Sequence, residues 1–174
     1  QSDRVAAQCG LSRFPSVIPI RGKWSVIKPE YGYLVKGNIY PVPNPRLPFL
    51  GVHFSKKVNS DAIWSGPNSL VTLSREGYRL SDINWKDSLN TITNPAFYKL
   101  LASHWKSGAM ELYHEVFFNA QLSQMQKYIP ELTKEHFETK TEAGVRAGVV
   151  TPQGELIHDF LFATNPNKNQ LHVR

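Results

Sequence analysis

Three ionisable side chains stand in segments that are otherwise apolar and rich in strand-forming residues. Arg21 interrupts an apolar run, His53 lies within residues 49–54, and Arg146 lies within residues 143–147. A buried charge without a partner costs several kcal/mol, so each arginine requires either a structural ion pair or an anionic ligand. A buried histidine is either a hydrogen-bonded core residue or a base that works near neutral pH. The residues alone leave both interpretations open at each position.

Several other chemistries find no support in the sequence. The 11 glycines form no G-x-G-x-x-G or G-x-x-x-x-G-K loop, and no G-x-S-x-G nucleophile motif is present. His104 and His114 are not spaced as metal ligands, so we expect both at the surface. The single cysteine, Cys9, excludes an internal disulfide. This chain alone therefore has no recognised loop for a nucleotide cofactor.

Strands are predicted in the first third of the chain and again near its end. Alternating and β-branched residues predict strands at residues 17–27, 34–40, 49–54, 62–64, 144–150 and 156–163, the last two forming a short-loop hairpin. Four prolines within residues 41–48 predict a stiff, extended loop. Residues 2–11 are interpreted as the end of a helix that stops near Gly10. These strands would carry all three ionisable residues on one sheet.

The middle of the chain, residues 81–132, has helical periodicity, with breaks predicted at Asn94-Pro95 and Gly108 and a stop at Pro130. Its apolar residues are expected to pack in the core: Leu89, Ile92, Phe97, Leu100, Leu101, Trp105, Phe117, Phe118, Leu122, Met125 and Tyr128. Strands, helices and then strands again indicate an α+β domain. We expect a mixed, largely antiparallel sheet with a helical insertion.

Composition narrows the class of protein further. The chain has 174 residues, which suits one domain, and it has no apolar run of the length that crosses a membrane. Twenty Lys and Arg against fourteen Asp and Glu give a formal charge of +6, but these residues are scattered. A solvated basic surface is therefore favoured over nucleic-acid binding. Gln1 at the start and a strand-like segment at residues 171–174 suggest a fragment of a longer protein.

Residues 40–54, Tyr-Pro-Val-Pro-Asn-Pro-Arg-Leu-Pro-Phe-Leu-Gly-Val-His-Phe, resemble the signature of the L-2-hydroxyglutarate dehydrogenases, a family of flavoenzymes. Further blocks match that family in the same order, at residues 19–22, 66–68, 75–78, 143–147, 154–160 and 171–174. Residues 36–41 are closer to the animal mitochondrial form than to bacterial relatives. Gly148 stands where the family usually has glutamine, and Ser69 stands where alanine is usual. The resemblance covers essentially the whole chain.

The resemblance implies a fold of the D-amino-acid-oxidase type. Residues 1–14 would be a remnant of the FAD-binding domain, residues 15–164 the substrate-binding domain, and residues 165–174 a strand leading back to the FAD-binding domain. The implied reaction is oxidation of L-2-hydroxyglutarate to 2-oxoglutarate by hydride transfer to FAD. A sister flavoenzyme acting on another 2-hydroxy or amino acid is the alternative enzyme. A non-catalytic ligand-binding domain is the alternative outside enzymes.

The resemblance also implies site roles and partners. His53 would be the catalytic residue, with substrate held by Arg146, Arg21, Asn68 and Tyr78, and with the cofactor contacted by Gly144 and Val145; no metal is expected. The implied partners are a small dicarboxylate and the remainder of the flavoprotein, without nucleic acid. Mitochondrial localisation is implied, and peripheral membrane association of the full-length enzyme is left open. This fragment alone is expected to lack flavin and activity, and the true base could lie in the missing part.

Overall fold

The computed structural model describes residues 2–12, 14–43, 50–66, 68–165, 167 and 169–174. Its main sheet has the strand order β2-β3-β1-β5-β6, with β4 also paired to β1, and β7 and β8 form a separate hairpin. The strands are β1 (Ser16–Ile27), β2 (Phe54–Lys56), β3 (Ile63–Ser65), β4 (Leu70–Val71), β5 (Glu142–Val150), β6 (Leu156–Ile157), β7 (Phe162–Asn165) and β8 (Gln170–Val173).

β1 organises the sheet because it is long enough to pair with two partners on one edge. It pairs with β5 from Ser16↔Val150 to Trp24↔Glu142 on one side. On its other side it pairs with β4 and then, at residues 25–27, with β3. All pairings between the described strands are antiparallel. The predicted α+β class is therefore confirmed.

The helices are α1 (Ser2–Gln8), α2 (Trp85–Ile92), α3 (Pro95–Val116) and α4 (Phe118–Met125), with short 3-10 helices at Pro29–Leu34 and Lys134–His136. The break predicted before α3 is confirmed, because the Asn94 side chain accepts a hydrogen bond from the Ala96 N–H at 3.0 Å. The break predicted at Gly108 is wrong. A glycine costs a helix only about 1 kcal/mol, and α3 continues through it to Val116. The backbone departs from helical geometry instead at His104.

Two apolar clusters hold the helices on the sheet. One comprises Ile27, Val35, Phe54, Ile63, Leu122, Met125, Ile129, Leu132 and Phe137. The other comprises Ile18, Ala96, Leu100 and Val150. The start of α3 therefore packs on the first half of β1, and α4 packs on its last residues. Burial of this kind contributes about 25 cal/mol per Å² of apolar surface.

Much of the apolar pattern in the helices lies outside these clusters. Burial is confirmed for Leu100, Leu122 and Met125, but the expectation is wrong for Leu89, Ile92, Leu101, Trp105, Phe117 and Tyr128, which are exposed. For Leu89 and Ile92 the reason is that α2 turns its polar side inward and its apolar side outward. Within the described part of the chain, no helix combines the length and apolarity needed to cross a membrane.

The strands predicted near the signature are mostly wrong. Residues 34–40 contain the end of a 3-10 helix and irregular backbone, and only Ile39 makes a single bridge, to Phe54. Strand β2 begins at Phe54, so His53 precedes it. Residues 156–163 form the end of one hairpin and the start of another. Most of the proline-rich loop, residues 44–48, lies outside the described residues.

Candidate active site

His53 is held at the end of an irregular segment, immediately before β2. Its carbonyl oxygen accepts a hydrogen bond from the Gly66 N–H at 3.0 Å. Phe54, the next residue, exchanges two backbone hydrogen bonds with Ile39. The residue is 6% exposed. Backbone bonds on both neighbouring chain segments therefore fix the imidazole at the edge of the sheet.

The hydrogen bonding of His53 determines its tautomer. The Nδ1 atom lies 3.0 Å from the Gly51 carbonyl oxygen. Because a carbonyl can only accept, Nδ1 carries the proton and Nε2 keeps a lone pair. Burial lowers the pKa of His53; the Gly51 bond opposes this, and the positive charge of Arg146 adds a smaller lowering. The imidazole is therefore neutral at pH 7, as a base must be.

Two aromatic rings enclose this imidazole. The Tyr40 ring is stacked on it, with a centroid distance of 4.9 Å and an interplanar angle of 24°. The Trp24 ring is perpendicular to it, at 5.3 Å and 90°. The Tyr40 hydroxyl lies 3.0 Å from the Ser55 Oγ atom. Neither ring was assigned to the site from the sequence, although Tyr40 opens the signature segment.

Arg146 lies on β5 opposite Ile20 and is exposed. It forms no hydrogen bond or ion pair with any residue that the structure describes. A free guanidinium can bind a carboxylate through two parallel hydrogen bonds. The structure therefore provides an uncommitted cation whose charge acts on the neutral His53.

Two glycines lie between Arg146 and Trp24 on the sheet. Gly22 and Gly144 are paired directly across β1 and β5, one step along the same face from Arg146. Gly22 is buried and Gly144 is half-buried, and a Cβ atom placed on Gly144 would meet no heavy atom within 4 Å. We call the side formed by Ile20, Gly22, Trp24, Glu142, Gly144 and Arg146 the glycine face. The glycine face therefore has open space above Gly144.

Arg21 and Asn68 are turned away from this face and bind Glu115 of α3. Arg21 is 5% exposed, and its Nη1 atom lies 3.1 Å from the Glu115 Oε1 atom. The Asn68 amide donates to the other oxygen of the same carboxylate. Lys23 completes the cluster, with its Nζ atom 3.4 Å from Oε1. Arg21 thus has the structural ion-pair partner that was one of its two interpretations.

The structure also shows where Tyr78 and Val145, the remaining predicted site residues, lie. The ring of Tyr78 is exposed, and its carbonyl oxygen accepts a 2.7 Å hydrogen bond from the Arg21 Nε atom. Val145 pairs with Arg21, so its side chain lies on the side opposite Gly144. The structure brings His53, Arg146 and Gly144 together around one face and places Arg21, Asn68 and Tyr78 in a different cluster.

A cavity of about 640 Å³ lies between α3 and the sheet, and Arg146 stands on its border. Its walls are mainly apolar and include Leu100, Leu112 and Leu156. His104 and His158 are its other titratable residues. Among the described residues, no group of three His, Cys, Asp or Glu side chains could hold a metal ion. Arg146 therefore borders this cavity, whereas His53 is not among the residues that line it.

Comparison with known proteins points to the same family as the sequence resemblance. No family model matches the chain. The chain is 45% identical over its whole length to a protein of Caenorhabditis elegans named L-2-hydroxyglutarate dehydrogenase, mitochondrial, and covers 40% of it. The equally named human protein is 42% identical over 99% of the chain, which covers 38% of it. An Escherichia coli L-2-hydroxyglutarate dehydrogenase is 36% identical over 95% of the chain, which covers 39% of it.

These relatives confirm the resemblance seen in the sequence. The chain is homologous, essentially from end to end, to one segment of the L-2-hydroxyglutarate dehydrogenases. It spans about 40% of the length of the curated relatives it matches. The eukaryotic relatives are named mitochondrial and the bacterial one is not.

Proposed function

We propose that this chain, a homologue of one segment of the L-2-hydroxyglutarate dehydrogenases, is the substrate-binding part of an FAD-dependent enzyme. The enzyme oxidises L-2-hydroxyglutarate to 2-oxoglutarate. The observation that carries the proposal is the uncommitted Arg146 guanidinium acting on a buried, neutral His53 beside an open glycine face. A 2-hydroxy acid needs a cation for its C1 carboxylate and a base for its C2 hydroxyl, and this face offers both.

Each residue has a distinct task. Arg146 binds the C1 carboxylate through two hydrogen bonds, which orients the substrate as well as neutralising its charge. The Nε2 lone pair of His53 accepts the proton of the C2 hydroxyl as the carbonyl of 2-oxoglutarate forms. A bound flavin would supply the acceptor for the C2 hydrogen, which leaves as hydride with its two electrons. Trp24 and Tyr40 keep water from two sides of the imidazole.

The described residues fit one side of a flavin site. The open space above Gly144, next to Arg146 on the glycine face, suits a planar ring system. Gly144 and Val145 are the residues we assign to cofactor contact; because the Val145 side chain lies on the opposite side of the sheet, Val145 would contribute only its backbone. No described segment combines a glycine-rich turn with the start of a helix, so the phosphates would be held by another part of the enzyme. This division agrees with a D-amino-acid-oxidase type of architecture, which is part of the proposal.

The proposed boundaries follow from that division. Residues 15–164 form the substrate domain, residues 1–14 belong with the FAD-binding domain, and residues 165–174 lead back to it. Arg21, Asn68 and Tyr78 remain proposed substrate residues only in an indirect sense, because Glu115 and the backbone occupy Arg21 and Asn68 in this structure. Their contribution would be to hold the sheet beneath Arg146.

Two variants of the longer enzyme that contains this chain test the roles. Arg146→Lys should lower kcat/KM at least about 10-fold, since Lys cannot make the bidentate contact and a charged hydrogen bond contributes about 1.5–3 kcal/mol. Arg79→Lys, on an exposed residue outside the face, is the matched control. Normal kinetics of a folded Arg146→Lys variant would refute the carboxylate role.

His53→Gln tests the base. Wild-type turnover should fall with decreasing pH, with its midpoint below the ordinary histidine value of about 6.5, because burial and Arg146 lower the pKa of His53. The variant should lose turnover and this acidic limb together. If turnover survives and only the melting temperature falls, His53 is structural and the base lies elsewhere in the enzyme.

We also propose a mitochondrial location and a peripheral membrane contact for the full-length enzyme. The names of the eukaryotic relatives support the location. The outward apolar side of α2, where Trp85 is 83% exposed and Leu89 is also exposed, supports the contact. Co-sedimentation with anionic vesicles should fall for the full-length Trp85→Ser variant and stay unchanged for Tyr33→Ser, which removes an equally exposed ring elsewhere. Equal sedimentation of both variants and wild type would refute this contact.

A further inference from the structure

The Tyr40 side chain is held in place at several points although it is exposed. Tyr40 is 52% exposed, yet its ring is nearly parallel to the imidazole at 4.9 Å. Its hydroxyl is joined to Ser55, the second residue of β2, at 3.0 Å. The ring is thus fixed at one end by the backbone and at the other by the hydroxyl, with its face against His53.

The orientation of the Tyr40 ring decides its effect on His53. An aromatic face is negative and an aromatic edge is positive. Tyr40 offers its face, and a cation over such a face is stabilised. The Trp24 ring is perpendicular to the imidazole, at 90°. Tyr40 is therefore a ring that can stabilise a protonated His53.

We infer that Tyr40 is a positioning residue for the base. Its ring holds the imidazole in place and stabilises the imidazolium that forms when His53 takes the C2-hydroxyl proton. This inference rests on the proposed function, in which His53 is that base. The proton moves from the substrate oxygen to Nε2 while the hydride leaves C2, so Tyr40 itself gains and loses nothing.

The need for such a residue follows from the other groups around His53. Burial and the charge of Arg146 both oppose protonation. Arg146 on β5 is the charged group that acts on His53 among the described residues, and the Tyr40 hydroxyl is the other titratable group in contact. His53 must become cationic near an arginine when it takes the proton. An interaction that is strong with the imidazolium and weak with the neutral imidazole, such as that of the Tyr40 face, favours this step.

The first test measures His53 by NMR titration of this chain and needs no flavin. Tyr40→Leu keeps an apolar cover but removes the aromatic face, so the pKa of His53 should fall by a further 0.4–0.7 unit or so, the size of an exposed cation–π contact. Tyr40→Phe keeps the face and should restore most of the shift. Tyr33→Leu, at an exposed tyrosine away from His53, should change nothing. An unchanged or raised value in Tyr40→Leu overturns the inference.

The second test asks whether the contact matters for the reaction, in the longer enzyme. Tyr40→Leu should lower kcat several-fold and move the acidic limb to lower pH by the amount seen by NMR, while Tyr40→Phe stays close to wild type. If the limb does not move, the inference is overturned. His53→Gln then separates the inference about Tyr40 from the proposed function. An inactive His53→Gln variant leaves His53 as the proposed base even if the Tyr40 inference fails. An active His53→Gln variant refutes the role of His53 as base too.

Discussion

Glu115 connects α3 to the sheet by pairing with two cationic side chains of β1, the buried Arg21 and the half-buried Lys23. Its carboxylate is 7% exposed and is shared by Arg21 at 3.1 Å and Lys23 at 3.4 Å. It also accepts from the Asn68 amide. Replacing this carboxylate would leave the buried Arg21 guanidinium, itself 5% exposed, without its counter-charge.

We expect Glu115→Gln to lower the free energy of unfolding by about 3 kcal/mol. Removing one partner of a buried ion pair costs about 3–5 kcal/mol, because the other charge stays buried and unpaired. Glutamine keeps the volume and one accepting oxygen, and Arg21 keeps its bond to the Tyr78 carbonyl, so the lower end applies. Urea unfolding followed by tryptophan fluorescence gives the value. Glu131→Gln, at an exposed carboxylate, should change it by at most about 0.5 kcal/mol.

A double-mutant cycle checks the reason as well as the size. Arg21→Gln together with Glu115→Gln should cost less than the sum of the two single changes, with a coupling of about 1–3 kcal/mol. Additive effects, or a loss below about 1 kcal/mol for Glu115→Gln, would refute the ion-pair account. Arg21 would then be free to act on a ligand, as one interpretation of the sequence had it.

Two further predictions concern stability. Gly154 has φ +90°, and an added Cβ would lie 2.6 Å from the Lys99 Cβ atom. Gly154→Ala should therefore lower the free energy of unfolding by more than about 1 kcal/mol, whereas the unobstructed Gly37→Ala should change it little. Equal urea midpoints for the two variants would refute this strain. Burial raises the pKa of Glu111, so its favourable contribution is present at acidic pH and is lost as pH rises through the folded-state pKa. Glu111→Gln should therefore raise the melting temperature at pH 7 but not at pH 4, and a pH-independent difference would contradict this.

The parts of the fold that the sequence predicts well are those whose local pattern and tertiary environment agree. β1 and β5 are long, rich in β-branched residues and paired with each other over nine positions. Asn94 and Pro95 begin α3 with chemistry that acts within three residues. The segments predicted as strands at residues 34–40 and 49–54 have similar composition, but their described residues lack a continuous partner strand. Strand formation depends mostly on packing against such partner strands, so composition alone wrongly predicted strands in these two segments.

The residues of the candidate site also fall into those that local sequence predicts and those that it does not. His53 and Arg146 could be found because a titratable residue in an apolar segment is visible locally. Glu115 could not, because it lies 94 positions from Arg21 and on the last turns of a helix whose polar residues resemble a solvated side. The aromatic surroundings of His53 were missed because they depend on the fold bringing β1 and the signature segment together.

The inverted orientation of α2 gives it an unusual dependence on ionic conditions. Its inner side is polar: Asp87 binds Arg4, accepts from the Arg75 N–H at 2.9 Å, and lies within 3.9 Å of the Arg75 Nε atom, while Arg75 also binds Asp3 at 2.7 Å. Because the Asp87 and Arg75 side chains are only 8% and 13% exposed, added salt screens these contacts much less than it screens exposed pairs. Its outer side is apolar, and excluded salts such as sulfate strengthen the burial of apolar surface. One added salt would thus leave the inner contacts largely in place while driving the outer side toward whatever covers it.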